Sequence, residues 1–493
     1  MCYAIPGRII EISNNIALID YYGERKEALV DIEGVRTGDY VFAQGGVIVD
    51  RLQEEVALSI LEGWREAFSR LKEKDKSLAE GEPSPEGLNP EIVWIIRKGE
   101  EGITLTRDEM LTLLRCSGRG ELNLLYQTAN RIRQKVHKNS SCVHGIIEFS
   151  NICKNDCAYC GIRRDNHALE RYRMEADEIV EVVTSAANRL GFRAFVLQSG
   201  EDSYYTTERL TEIIRRIRER CGVLLILSIG ERGKECYQEL YDAGARGVLI
   251  RFETSNPDLY GELHTTLRYE DRMETLKSVR DIGYIIATGS LIGLPGQRAE
   301  DLLEDILLAR SFDTEMYSFG PLIAHPATPL ASTPPVDLDS ILKVISLTRL
   351  ITHDGNTLVT SAVETLFGKE GVRQSLMAGG NSMMINLTPA RYRSLYSIYP
   401  REDKATGFPA DRRGLLTPSA GFLDETLLSQ EPTKEVENTL PFKGRDKGGD
   451  GVFSDEDIQG RISETISLLY SLGRAPTDIG ISGTRGSNNK TSS

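Results

Sequence analysis

Apolar residues recur along the chain in two different rhythms. Over residues 1–52 they come in short alternating runs, RIIEI, IALID, EALVDI and DYVFA, broken by Asn14-Asn15, Gly23 and Gly38-Asp39. Alternation with a period of two between turn residues predicts half-buried strands, here a small β module. From about Gln53 to Lys72 the spacing becomes helical, with Val56, Leu58, Ile60, Leu61 and Trp64 at apolar positions. The following KEKDKSLAEGEPSPEGLNP is charged and carries Pro, Gly and Ser, a linker composition. Thr106 with Glu109 three residues on is a capping-box pattern. A helix is predicted to start there and, after a break near Ser117–Glu121, to run to about Lys138.

Beyond that point strand-like and helix-like runs alternate. Eight apolar, β-rich segments stand out: VHGIIEFS, AFVLQSG, VLLILSIG, GVLIRFET, YIIATGSLIGL, MYSFGPLIA, TLVTSAVET and SMMINLTP. Amphipathic stretches such as EADEIVEVVTSAANRL and LLEDILLARSF separate most of them. Such alternation predicts parallel pairing, and eight units predict a (β/α)8 barrel over an open doubly wound sheet. The segments end in polar residues: Gln198-Ser199-Gly200-Glu201, Ser228, Arg251 with Glu253, Gly293 to Gln297, His325-Pro326, Thr360-Ser361 and Asn386. A barrel gathers these C-terminal strand ends into one mouth, where its active site forms. Any one of them could simply terminate a strand; the full set is harder to explain that way.

From about Arg401 the pattern decays. LSQEPTKEVENTLPFKGRDKGGDG is polar and Gly-rich, an expected extended loop; DEDIQGRISETISLLYSLG reads as a last helix docking on the barrel, and TRGSNNKTSS as a disordered tail. The expected division is a β module with its helix at 1–72, a linker at 73–95, a barrel with N-terminal helices at 96–410, and a polar extension at 411–493. Composition adds exclusions. There are 59 basic and 73 acidic side chains, a net charge of −14, with no basic stripe, which argues against nucleic acid as a partner. The start, MCYAIPGRII, lacks the pattern of an export signal, and no apolar run reaches membrane-spanning length, so a cytoplasmic location without a membrane is expected.

The cysteines sharpen the chemistry. Just after the first barrel segment comes Asn151-Ile-Cys153-Lys-Asn-Asp-Cys157-Ala-Tyr159-Cys160-Gly161, a C-x3-C-x2-C spacing. Thiolates suit both iron–sulfur clusters and zinc. Three ligands on a cubane leave one iron open, as a reactive cluster requires. Zinc wants a fourth ligand nearby; His167 is seven residues on, and no paired C-x2-C exists. Cys116, Cys142, Cys221 and Cys236 read as buried small hydrophobes, and His137, His264 and His353 as structural or solvent-facing.

The motif, with an aromatic before its last cysteine, resembles that of the radical S-adenosylmethionine enzymes. The resemblance implies that Cys153, Cys157 and Cys160 hold a 4Fe–4S cluster whose open iron takes S-adenosylmethionine, cleaved to methionine and a 5′-deoxyadenosyl radical. Ser199-Gly200-Glu201, with Gln198 before it, then meets the methionine amino group. Ser228, Glu253 and Arg272 bind ribose and carboxylate, Arg251 faces the cavity, and Tyr159 and the Leu294 loop lie on the adenine side.

Further blocks narrow the match. GIIEFSNICKNDCAYCGIRRDN, VLQSGED, LSIGER, RFETSNPDLYGELH, LIGLPGQ, GPLIAHPATPL and YRSLYSIYP, spread over about residues 100–410, resemble the hydrogenase maturase HydE family. This implies action on a small iron complex bearing CO, cyanide and cysteine, alongside other maturation proteins and a low-potential electron donor. Departures are His144 in place of an Arg, Phe252 in place of a His, and TSAVET at the seventh segment; His144, Thr360 and Ser361 are expected at the substrate cavity, with His325 shaping the mouth. Residues 1–70, with MCYAIPGRIIEI, resemble the hydrogenase chaperone HypC family, a small OB-like β-barrel with a C-terminal helix. There Cys2 is implied as an iron carrier, though Gln44 stands where that family commonly has His. Two other readings stay open: a radical enzyme on a small organic substrate, as in the biotin synthase and methylornithine synthase families, and a non-enzymatic scaffold for metal fragments.

Overall fold

The computed structural model describes residues 5–81, 85–400 and 456–478. Cys2, the polar insertion and the terminal tail lie outside the described residues. The first unit is a closed barrel of β1 (Gly7–Ser13), β2 (Ile16–Tyr21), β3 (Glu24–Val30), β4 (Tyr40–Gln44) and β5 (Val47–Leu52), in the order β1-β2-β3-β5-β4. Ile9, Ala17, Ile19, Val41, Ala43 and Ile48 fill its core, as the alternation requires.

Helix α1 (Glu54–Glu80) leaves this barrel and extends eight residues past the expected end at Lys72. Helix α2 (Pro90–Glu100) begins on Asn89, whose side chain caps the Glu91 N–H. The linker expected over 73–95 is therefore helical at both ends. The reason is tertiary: Asp75 and Ala79 are buried, so a charged sequence is held helical by packing rather than left as a spacer. Helix α3 (Arg107–Arg115) starts in the expected Thr106–Glu109 capping box, and α4 (Arg119–His137) follows after a short break.

The main unit is a parallel ring. Its strands are β6 (Cys142–Ser150), β7 (Ala194–Ser199), β8 (Leu224–Ser228), β9 (Gly247–Leu249) and β10 (Ile285–Thr288). After the short β11 (Leu291–Ile292) come β12 (Met316–Tyr317), β13 (Gly320–Pro321), β14 (Asn356–Thr357) and β15 (Ser382–Asn386). The eight-stranded order is β14-β12-β10-β9-β8-β7-β6-β15, and the parallel bridge Leu358–Ser382 brings the two edges together. Helices α5 (Ala176–Leu190), α6 (Thr207–Arg220), α7 (Lys234–Asp242), α8 (Pro257–Leu263), α9 (Tyr269–Ile282), α10 (Ala299–Ser311), α11 (Leu338–Thr352) and α12 (Ser361–Met377) lie between strands along the chain.

All eight expected segments contribute a strand. Two of them break, because Gly289 must pass so close to the Ser318 carbonyl that a Cβ there would lie 2.2 Å from it; the chain beyond forms the separate pair β11–β13. TLVTSAVET pairs only over its first residues. Thr360 occupies the N-cap of α12, so the TSAVET part is helix entry rather than strand. After α13 (Ala390–Arg393), helix α14 (Glu456–Ser471) returns to the barrel and buries Ile458, Ile462, Ile466 and Leu469 on one face.

The small module sits on the floor of the ring, at the N-terminal strand ends. Phe42, Val47 and Val49 form one apolar cluster with Ala194, Val196, Leu224, Ile226 and Ile285. Asp31 reaches Arg246 at 2.7 Å, and Gly222 lies so close to the Val49 carbonyl that a Cβ would be 2.4 Å away. Above the floor, the inward residues Ile146, Gln198, Ser228, Arg251, Met384 and Asn386 keep partial solvent access, so the lumen is hollow.

Candidate active site

The loop after β6 is built to hold three thiols in place. Arg171 donates to the carbonyls of Asn151 (2.6 Å), Ile162 (2.8 Å), Arg163 (2.5 Å) and Asn166 (3.1 Å), and Asn166 donates to the Gly161 carbonyl at 2.7 Å. Cys157 pairs with His264 in an antiparallel bridge, and Gly161 donates to the Ile398 carbonyl at 2.8 Å. None of Cys153, Cys157 and Cys160 is in a disulfide. Burial pushes all three thiols up, Cys160 to about 12 and Cys157 well above its ordinary value, with mutual repulsion of the sulfurs adding to it at Cys157 and Cys160. A cluster at these sulfurs must displace their protons.

Glu201 lies against this loop. Lys154 N–H donates to the Glu201 carbonyl at 3.1 Å, and Lys154 Nζ forms an ion pair with the buried Oε2 at 3.1 Å. Gly200 permits the approach: a Cβ there would lie 2.3 Å from the Ile152 carbonyl and 2.8 Å from Cys153 Cβ. A buried carboxylate beside the thiol loop, already paired with the Lys154 ammonium, marks a position suited to a cationic group. Next around the mouth, Arg251 Nη2 is 2.9 Å from Glu253 Oε2 and donates to the Ser290 carbonyl at 2.7 Å. Arg272 pairs with Glu231 at 2.6 Å and donates to the Arg251 carbonyl. Glu253 has φ 67°, a left-handed backbone uncommon for a residue with a side chain. Tyr159 packs with Leu263, Leu291, Leu294 and Leu322, and its hydroxyl lies 3.2 Å from His264 Nε2. These contacts provide an apolar wall beside Glu253 and Arg272, and the buried donors and acceptors fit the cluster and its sulfonium cofactor.

Gln198 donates to the Tyr396 hydroxyl at 3.2 Å, Ser199 to the Gly200 carbonyl at 2.7 Å, and Ser228 ends β8 beside Gln198. Thr360 keeps its hydroxyl buried without a partner, and the Ser361 hydroxyl is 2.6 Å from that of Tyr399. His325 packs on Gly161, at the cysteine loop. His144 lies deeper than the other expected site residues. It is the third residue of β6, on the floor, roughly 20 Å below the mouth at the usual strand rise. Burial lowers its imidazole to about 4. Sequence reasoning missed Lys154, Arg171 and Glu231; each meets its partner across loops, which leaves no periodic signal. His264, expected to be structural or exposed, is buried behind the thiols.

A parallel ring with this thiol loop after its first strand defines a radical S-adenosylmethionine barrel enzyme, a class that uses a 4Fe–4S cluster and S-adenosylmethionine. Comparison agrees: the Radical SAM superfamily profile matches residues 147–309, and that of the HupF/HypC family residues 1–64. FeFe hydrogenase maturase subunit HydE from Thermotoga maritima is 40% identical over 295 residues, 60% of this chain and 84% of that protein. The 3-methylornithine synthase of Methanosarcina acetivorans is 29% identical over 283 residues, covering 57% and 79%. Among solved structures, methylornithine synthase superposes with a TM-score of 0.57 at 24% identity over 70% of this chain and all of that one. HydG from Carboxydothermus hydrogenoformans gives 0.56 at 20% identity over 83% and 93%; both likenesses concern the fold. The chain belongs to the HydE family of hydrogenase maturases, with a HypC-type module fused at its N-terminal end.

Proposed function

We propose that the barrel acts on a small iron complex carrying CO, cyanide and cysteine during assembly of a hydrogenase cofactor, and that the N-terminal module carries or delivers the iron fragment. When bound, the cluster and S-adenosylmethionine supply the one-electron cleavage that yields methionine and a 5′-deoxyadenosyl radical. In this reading Cys153, Cys157 and Cys160 ligate the cluster, and Glu201, with Gln198, Ser199 and Gly200, orients the amino group. Ser228, Glu253 and Arg272 hold ribose and carboxylate, with Arg251 directed to the cavity. Tyr159 and Leu294 cover the adenine and exclude water. Thr360 and Ser361 border the substrate. Other maturation proteins and a low-potential electron donor are the proposed partners.

The observation that carries the proposal is the seating of a HypC-type module on the floor of a hollow barrel whose opposite end holds the thiol loop. Anaerobic turnover with an iron–carbonyl–cyanide–cysteine complex tests it, with the nucleoside product identified. Turnover dependent on that complex is the expected result; deoxyadenosine formed only with a small amino acid would favour the organic-substrate reading instead. Infrared spectra of protein purified from a host making such ligands are expected to show CO and cyanide bands that Cys2→Ala removes. Absence of the bands in the unaltered chain refutes the carrier role. Cys157→Ser is expected to abolish cleavage of S-adenosylmethionine, whereas a scaffold would keep its partner function.

A further inference from the structure

Behind Glu253, in the helix layer around the ring, lies a second carboxylate. Asp305 of α10 is fully buried. Its Oδ1 accepts both the N–H and the hydroxyl of Ser255, each at 2.6 Å. One turn earlier on the same helix, Asp301 accepts from Asn256 Nδ2 at 3.0 Å. Two carboxylates on one helix face thus clamp the residues that follow Glu253. Asp305 Oδ2 also lies 3.5 Å from Gln297 Nε2, and Gln297 in turn accepts the Gly293 and Leu294 N–H groups at 2.8 and 3.2 Å.

The hydrogen-bond partners of Asp305, Ser255 and Gln297, are neutral. Burial raises its carboxyl to about 6. Keeping it ionised at neutral pH therefore costs stability that a neutral acceptor such as an amide would not cost. What the charge adds is a shorter, firmer bond to Ser255. Glu253 needs such an anchor, because its φ of 67° persists only where surrounding contacts over-determine it. On the strand side those contacts are the bond from the Glu253 N–H to the Gly289 carbonyl, at 3.2 Å, and that from the Leu291 N–H to the Glu253 carbonyl, at 2.9 Å. On the helix side the anchor is Ser255.

We propose that Asp305 is a positioning residue for S-adenosylmethionine: through Ser255 it fixes the Glu253 turn so that the Glu253 carboxylate is presented to the ribose. The inference rests on the reading of Glu253 as a ribose ligand, and it adds the residue that sets the orientation of that ligand. Were Asp305 to serve the stability of the loop alone, its loss would lower the amount of folded protein and leave the affinity of the folded fraction unchanged.

Calorimetry on the cluster-loaded full chain tests it, with S-adenosylmethionine as ligand and the variants Asp305→Ala, Glu253→Ala and the two combined. Asp305→Ala should weaken binding about tenfold in the unaltered background and less than about twofold once Glu253 is replaced, because the group it positions is gone. Deoxyadenosine formation with a chemical reductant should show the matching split, a raised KM with kcat at saturation little changed. Before cluster loading, amide exchange at Ser255 should quicken in Asp305→Ala while the thiol loop keeps its rate. Asp305→Asn keeps an acceptor for Ser255 without the charge; it should fall between the two, and it serves where the Ala variant does not fold. Equal weakening by Asp305→Ala with and without the Glu253 carboxylate overturns the inference, as does unchanged affinity in a folded Asp305 variant. Glu253→Ala binding like the unaltered chain would remove the ribose reading itself, and the inference with it. Weakened binding in Glu253→Ala, with a fully additive loss at Asp305, keeps that reading and removes only the inference.

Discussion

Glu253 puts a carboxylate at the mouth by way of a backbone that only glycine adopts freely. Its φ of 67° is held by the N–H bond to the Gly289 carbonyl and by the Glu253–Ser290 bridge. Replacing it by Ala and by Gly separates charge from strain. Both variants lose the carboxylate and should bind S-adenosylmethionine more weakly by calorimetry. Glu253→Gly should nevertheless be more stable than Glu253→Ala by about 1 kcal/mol, because it alone relieves the left-handed geometry. Equal melting temperatures would mean that no strain is stored there. At this scale the sequence was informative where chemistry is written in spacing, as in Cys153, Cys157 and Cys160. It was silent where a role depends on a fold contact: Lys154 beside Glu201 and Arg171 under the thiol loop follow no local pattern. His144 shares the inward face of β6 with Ile146, six residues before the strand's end, a depth that its place in VHGIIEFS already fixes.

Between elements, one buried cluster ties the module's helix to the barrel. Asp75 of α1 accepts two bonds from Arg133 of α4, at 2.8 and 2.7 Å, and Arg474 after α14 lies 3.7 Å from the same carboxylate. All three side chains are essentially inaccessible to water, and Arg474 also donates to the Gly380 and Leu376 carbonyls. Removing this carboxylate, the one paired with both arginines among the described residues, leaves two buried cations facing each other. Asp75→Ala should therefore cost about 3–5 kcal/mol in chemical denaturation; a loss under 1 kcal/mol would show that the arginines are adequately held by carbonyls. A gentler probe of the same junction is Gly222→Ala, whose Cβ collides with the Val49 carbonyl. It should loosen the module, read as faster amide exchange in β5 with the ring strands unaffected. The cap of α3 was legible from Thr106–Glu109, and the start of α1 from the apolar spacing. The helical continuation to Glu80 was not, since its cause is a partner on a distant helix.

For the whole molecule, acid sensitivity follows from three buried histidines. Burial lowers His264 to about 3, His144 to about 4 and His137 well below its ordinary value, all from 6.5. The unfolded chain thus binds protons the folded chain refuses, so stability is full above about 6.5 and is lost as pH falls toward the folded values. Each histidine contributes a slope of about 1.4 kcal/mol per pH unit in that window. Melting temperature should drop steadily from pH 7.5 to 5.5, and a flat profile would contradict it. The ring of strands was readable from eight βα repeats, because parallel strands buried on both faces are written as continuous apolar runs. Which end of the ring the small module covers was not readable, for its outward residues Phe42, Val47 and Val49 look like those of any half-buried strand.

The helix α1 that joins module to ring has one more consequence. Two separate proteins exchanging a metal fragment must find each other at a rate set by their concentrations. Here the module is already docked on the floor as part of the same chain, so its presence there does not depend on protein concentration. If the module is the donor proposed above, exchange across that junction is first order: diluting the protein slows its encounters with outside partners and leaves an internal hand-over untouched.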